Sequence, residues 1–272
     1  MIETPLPYNE DALRELELWS MFEMQQVSLP RRQHLEPPVS AAVSDPVPGA
    51  TRVVEKTGVR AVPMRSPLPT PTSTPLPDPE RVARIATLDW DALKVEANSC
   101  TACRLCKQRK QAVLGVGAID APWLFVGEGP GSEEDDQGEP FVGPAGKLLD
   151  AMLAAAGLQR GREVYIANVV KCRPPGNRNP SSDEALACAP LLDRQIALIK
   201  PKLIVALGKI ALNRLTGSDA SMASMRGNLH EYRGIPVVAT YHPAYLLRNL
   251  PDKLKAWEDL IFAKRTLIAA NR

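Results

Sequence analysis

No apolar run in the 272-residue sequence approaches the roughly eighteen residues that a membrane-spanning helix needs. The acidic start, with Glu3, Glu10 and Asp11, lacks the basic-then-apolar order of an export signal. A soluble, cytoplasmic monomer is expected. Five cysteines are an odd number in a chain without such a signal, so a disulfide scaffold is excluded as the organising device. Metal binding or buried thiols are left. Neither sign of charge dominates: the net charge of +2 is far from that of a strongly basic nucleic-acid binder. The distribution is uneven, however, with 7 Lys/Arg against 11 Asp/Glu in residues 1–80 and 26 against 20 in residues 81–272. The basic surplus permits a polyanionic partner without requiring one.

Residues 31–80 have no Phe, Trp, Tyr or Cys, yet hold eleven of the 26 prolines. Such a segment cannot bury enough apolar surface to offset its ordering entropy, and it is expected to be a disordered linker. Residues 1–30 precede it, and Asn9 to Met24, free of Pro and Gly, places Leu13, Leu16, Trp19 and Phe22 at helical spacing. A short helix is expected there, serving either as an interaction element or only as a solubilising tail.

Residues 81–272 read as one domain. Trp123-Leu-Phe-Val, Val164-Tyr-Ile-Ala, Leu203-Ile-Val-Ala-Leu and Ile235-Pro-Val-Val-Ala are short, β-rich runs suited to strands buried on both faces. Between them lie helical stretches from Ala145 to Ala156, from Asp183 to Ile199 behind a Ser181-x-x-Glu184 capping box, and from Lys209 to Leu215; a last helix spans about Asp252 to Ala270. This rhythm predicts an α/β fold with a mainly parallel four-stranded sheet between helices. Ligand sites in such folds lie beyond the carboxyl ends of the strands.

Three motifs follow strands. Gly127-Glu-Gly-Pro-Gly131 allows close backbone approach to a ligand. It lacks the Gly-Lys-Ser/Thr of a P-loop, and the acidic loop Ser132-Glu-Glu-Asp-Asp136 that follows would repel a pyrophosphate, so a nucleotide cofactor is excluded. Asn168, with donor and acceptor on one carboxamide, suits a nucleobase edge, and Lys171 and Arg178 beyond it suit phosphates. A polar loop cap is the plainer alternative. Tyr241-His-Pro-Ala-Tyr-Leu-Leu-Arg248 sets apolar side chains between a histidine and an arginine, as a wedge into a base stack requires.

Together with Gly138-Glu-Pro-Phe-Val-Gly143 and Asn168-Val-Val-Lys-Cys-Arg-Pro-Pro-Gly-Asn-Arg178, these blocks resemble, in order and spacing, the signature blocks of the family 4 uracil-DNA glycosylases. The resemblance covers about Ala97 to the C-terminus. It implies the three-layer fold of that family, a uracil-containing DNA substrate, base flipping and hydrolysis of the N-glycosidic bond. Phe141 would stack on the flipped ring, Asn168 would read its edge, Glu134 would fill the space near C5, and Gly129 would line the site. His242 would stabilise charge developing on O2. Leu246 would enter the stack with Tyr245 beside it and Arg248 on the backbone. Where the best-known branch of the superfamily has an aspartate for the attacking water, this chain has Gly129, and Glu128 becomes the candidate for that water. The His-bearing insert of the covalently bonding branch is absent, which implies turnover. A non-catalytic uracil or damage sensor, or an iron-sulfur accessory protein of replication, is the rival reading, and intact Asn168, Phe141 and His242 favour the enzyme.

Cys100-x2-Cys103 and Cys172-x15-Cys188 supply four thiols suited to zinc or to an iron-sulfur cluster. The resemblance implies a 4Fe-4S cluster of structural role on those four, with Cys106 surplus. Gln26-Val-Ser-Leu-Pro30 is similar to the short bacterial sliding-clamp-binding peptide, with Val27 in place of the usual leucine. Behind it, a flexible linker would reach about 40 Å as a coil and about 150 Å as extended polyproline. A nucleoid-associated location is the corresponding expectation.

Overall fold

The computed structural model describes residues 77–270. The expected helix at Asn9 to Met24, the clamp-like Gln26–Pro30 and nearly all of the linker lie outside the described residues. The domain begins slightly earlier than its sequence boundary at residue 81. Helix α1 (Pro79–Thr87) starts inside the segment taken as linker, because Asp78 caps it through the Glu80 N–H and Pro79 occupies the first turn, where its missing donor costs nothing. Helix α2 (Trp90–Ser99) follows behind a second aspartate cap, Asp89, and a 3₁₀ turn covers Arg104–Lys107.

The remaining elements are β1 (Val116–Gly117), β2 (Trp123–Gly127), α3 (Ser132–Gln137), α4 (Pro144–Ala155), β3 (Val164–Asn168) and α5 (Ser182–Ile199). After these come β4 (Leu203–Leu207), α6 (Lys209–Thr216), α7 (Met222–Met225), β5 (Leu229–Tyr232), β6 (Ile235–Thr240), α8 (Pro243–Leu246) and α9 (Lys253–Ala270). The sheet has six strands, in the order β1-β3-β2-β4-β6-β5. Its centre is the expected parallel quartet β3-β2-β4-β6; the two additional strands pair antiparallel at the edges. Neither edge strand carries an apolar run. β1 is two residues long and lies so close to β3 that a Cβ at Gly117 would sit 2.3 Å from the Val164 carbonyl. β5 is Leu-His-Glu-Tyr, mostly solvent-facing, and joins β6 through Arg233-Gly234, both at positive φ as a tight hairpin turn demands.

Both faces of the central strands are buried, which explains their unbroken apolar sequences. Leu124, Val126, Tyr165, Ala167, Ile204, Ala206, Val237 and Ala239 join one cluster with the apolar residues of α1, α2, α5 and α6. Alternation along each strand sends Phe125, Ile166, Val205 and Val238 to the other face, and the buried residues of α4 and α9 fall outside that first cluster. Helices therefore cover the sheet on both sides. The acidic stretch Ser132–Asp136, expected to be a loop, forms the helix α3, where Glu133, Glu134 and Asp135 in the first turn face the positive end of the helix dipole. No helix among the described residues is long and apolar enough to cross a membrane.

Candidate active site and cysteine cavity

The carboxyl ends of β2, β3 and β6 open onto one cavity of about 290 Å³, lined by Gly129, Glu134, Phe141, Asn168 and His242 among others. That is small for a ligand site and is room for a single base. Register brings the parts together: Gly127 pairs with Asn168 across β2 and β3, and a Cβ at Gly127 would lie 2.5 Å from Asn168 Oδ1 and 2.6 Å from Phe141 Cζ. The missing side chain lets ring and carboxamide meet.

Asn168 is 2% exposed, and its Oδ1 has no hydrogen-bond partner. An unpaired buried acceptor costs stability unless a ligand donates to it. Phe141 sits at positive φ (56°), strained for a residue with a side chain. Arg160 holds it there, donating 2.8 Å bonds to the Pro140 and Phe141 carbonyls, and Gly146 lets the Phe141 carbonyl approach α4, where a Cβ would stand 1.8 Å away. Glu134 completes the turn. Its Oε1 accepts from the Val142 and Gly143 N–H groups at 3.0 and 3.1 Å, and its Oε2 accepts from Gly131 at 3.0 Å. Its carboxylate therefore fixes the wall that carries Phe141.

His242 lies 5.4 Å from the Phe141 ring, centroid to centroid. Its Nδ1 accepts the Ala244 N–H at 3.2 Å, so the neutral ring carries its proton on Nε2. Desolvation, followed by the charge of Arg248, lowers its pKa from 6.5 to about 4, and Glu134 opposes them. The ring is a neutral donor at physiological pH.

Three expectations change. Leu246 is 1% exposed and, with Leu148, Met152, Ala256, Trp257 and Leu260, lines a small apolar cavity, so it does not face outward as a wedge. The residues from Pro243 form a helical turn instead of an open loop, and position 246 faces inward. Leu247 is half-buried and Arg248 exposed. Lys171, expected at phosphates, is 1% exposed and donates to the Asn168 carbonyl at 2.7 Å, while Arg178 is engaged by Glu184 at 2.7 and 2.8 Å. Glu128 is absent from the cavity wall; burial raises its pKa above the ordinary carboxylate value. Tyr245 is held by its hydroxyl, which donates to Asp252 at 2.6 Å. The wall also includes Asn177, Ala145 and Ala244, which sequence reasoning did not single out. The positive φ of Asn177, 55°, has no sequence signal beyond the neighbouring Pro-Gly.

All five cysteines line a second, smaller cavity between the end of α2, the segment after β3 and α5. Cations and an amide point at the sulfurs: Arg81 donates to Cys100 at 3.3 Å, Arg109 to Cys172 at 2.9 Å and the Lys171 N–H to Cys188 at 3.3 Å. Burial pushes the Cys188 thiol up to about 12 and raises Cys103 and Cys172. Among the described residues, no group of three or more His, Cys, Asp or Glu is arranged to hold a metal ion. The soft donor set, faced by arginines, nevertheless fits an anionic metal-thiolate group.

Residues 114–261 match the model of the uracil DNA glycosylase superfamily. A type-4 uracil-DNA glycosylase of Thermotoga maritima is 48% identical over 169 residues, covering 61% of this chain and 88% of that protein. Another, of Sulfurisphaera tokodaii, is 45% identical over 178 residues, 62% of this chain and 80% of its own. A type-5 uracil-DNA glycosylase of Thermus thermophilus shares 31% over 185 residues, 52% of this chain and 82% of that protein. With the base-sized cavity at the strand ends, these matches place the chain in the uracil DNA glycosylase superfamily, as a member of the type-4 uracil-DNA glycosylases.

Proposed function

We propose that the chain removes uracil from DNA by hydrolysing its N-glycosidic bond, leaving an abasic site. The observation that carries this is the unpaired Asn168 Oδ1 in a base-sized cavity beside an aromatic ring and a neutral histidine. Uracil N3–H would donate to Oδ1 and the carboxamide N–H₂ would donate to O4. Cytosine reverses both groups and would leave buried polar atoms unpaired, the strong form of discrimination. Phe141 stacks on the flipped ring. Glu134 and the turn it holds would fill the space near C5 and so exclude thymine.

As the bond breaks, negative charge gathers on O2 and positive charge on the sugar. His242 donates from Nε2 to that oxygen, and a neutral donor in a desolvated site strengthens its bond as the charge develops. Opening of the duplex would fall to Leu247 and Arg248, just beyond α8, in place of the buried Leu246. Cys100, Cys103, Cys172 and Cys188 would hold a 4Fe-4S cluster, which supplies a structural tie between α2, the segment behind Asn168 and α5. No chemical step needs it.

The test is incubation of the cluster-containing protein with duplexes holding one U:G, U:A or T:G pair, followed by alkali. Breaks at uracil and none at thymine are expected; intact strands throughout would refute the reading.

A further inference from the structure

The turn carrying His242 is fastened to the fold by contacts that the reaction itself does not use. Arg226, just after α7, reaches the Asp259 carboxylate with Nε at 2.7 Å and Nη2 at 2.9 Å, and donates to the Lys255 carbonyl. The two side chains are 13% and 2% exposed, so the pair lies inside the protein, against α9. The guanidinium also stands 4.8 Å from the centroid of the Tyr241 ring, on the residue immediately before His242. Tyr241 stacks at 5.0 Å on Tyr245, whose hydroxyl donates to Asp252 in the turn just before α9. The chain is thus tied down on either side of the histidine. The ring's own hydrogen bond is the one to the Ala244 N–H, so its direction is set by the backbone between those two ties.

We propose that Arg226 is a positioning residue for His242. Pinned by Asp259, it holds Tyr241 and with it the backbone of the histidine, so that Nε2–H points into the cavity before a base arrives. Arginine suits this because its edge serves a carboxylate with two bonds while its face lies on a ring; lysine has no such face. Preorganisation matters here because a donor misplaced by about 1 Å loses most of its effect on the transition state. The inference rests on the reading of His242 as the donor to uracil O2.

The experiment is a double-mutant cycle on the full, cluster-containing chain, with wild-type uracil release measured alongside. A wild type without activity would sink the glycosylase reading itself. Arg226→Lys keeps a cation beside Asp259 and should lower the single-turnover rate about tenfold or more, with DNA affinity changed less than about twofold. In a His242→Ala background the same substitution should cost less than about twofold, because the group it positions is gone. Tyr241→Leu leaves the Arg226–Asp259 pair untouched and should show the same dependence on His242, so it decides the matter if Arg226→Lys fails to fold. Equal fold-losses in both backgrounds, or no loss with His242 present, would overturn the proposal.

Discussion

His242 shows how one residue's surroundings set its chemistry. Its Nδ1 is occupied by a backbone N–H, and desolvation keeps the ring uncharged down to about pH 4. Replacing it by alanine should slow cleavage by about a hundredfold or more, the usual cost of one oxyanion-type donor, while DNA binding persists. Single-turnover rates and binding titrations check this; an equal loss of both would make the residue structural. The same desolvation has a consequence for stability. In the unfolded chain His242 regains its ordinary value of 6.5, so between there and about 4 the unfolded state binds a proton that the folded state does not. Stability therefore falls as pH falls through that window. Wild type should exceed His242→Gln in denaturation midpoint by less at pH of about 4.5 than at about 7, and a difference constant with pH would contradict the desolvated ring. Other residues act through absence. Gly127 and Gly146 are needed because their neighbours come closer than a Cβ permits, a relation between distant segments that a motif names without explaining.

At the scale of elements, the four central strands and the long helices can be read from sequence because burial on both faces demands unbroken apolar runs and because Ser181 and Glu184 form the capping box that starts α5. The edge strands escape for the opposite reason: β1 is two residues of close backbone approach and β5 is polar, so neither carries a periodic signal. α3 escapes because its acidic residues read as a solvated loop, while three backbone N–H groups converging on Glu134 hold it to the site. Asn168 and His242 are identifiable by motif, since one ends a strand and the other stands just beyond one, whereas Phe141, on the turn between α3 and α4, is named only by the family resemblance. The direction of Leu246 is not legible in the motif, because it depends on whether Pro243 begins a helical turn. A buried leucine predicts a stability effect: Leu246→Ala should cost about 2–5 kcal/mol in denaturant unfolding, with the cleavage rate of the folded fraction little changed. Leu247→Ala should do the reverse, weakening cleavage of paired uracil more than of uracil in single strands. Unchanged stability of the first variant, with loss of activity on duplex alone, would return the wedge to position 246.

For the whole molecule, one end of the sheet carries the base cavity, and the cysteine cavity lies behind the Asn168 segment, joined to it by Lys171. Ligation of a 4Fe-4S cluster predicts a brown protein with roughly four irons per chain. Iron analysis of variants should show loss on replacing Cys172 or Cys188 by alanine and retention for Cys106→Ala; a colourless, fully active protein with one zinc would refute it. The base that the cavity accepts decides the function most directly. A single duplex site carrying uracil, thymine or cytosine opposite guanine, incubated with the protein and analysed for the free base by mass spectrometry, measures this. Release of uracil, with neither thymine nor cytosine detectable, is the predicted result; release of no base, or of thymine at a rate comparable to uracil, would contradict it.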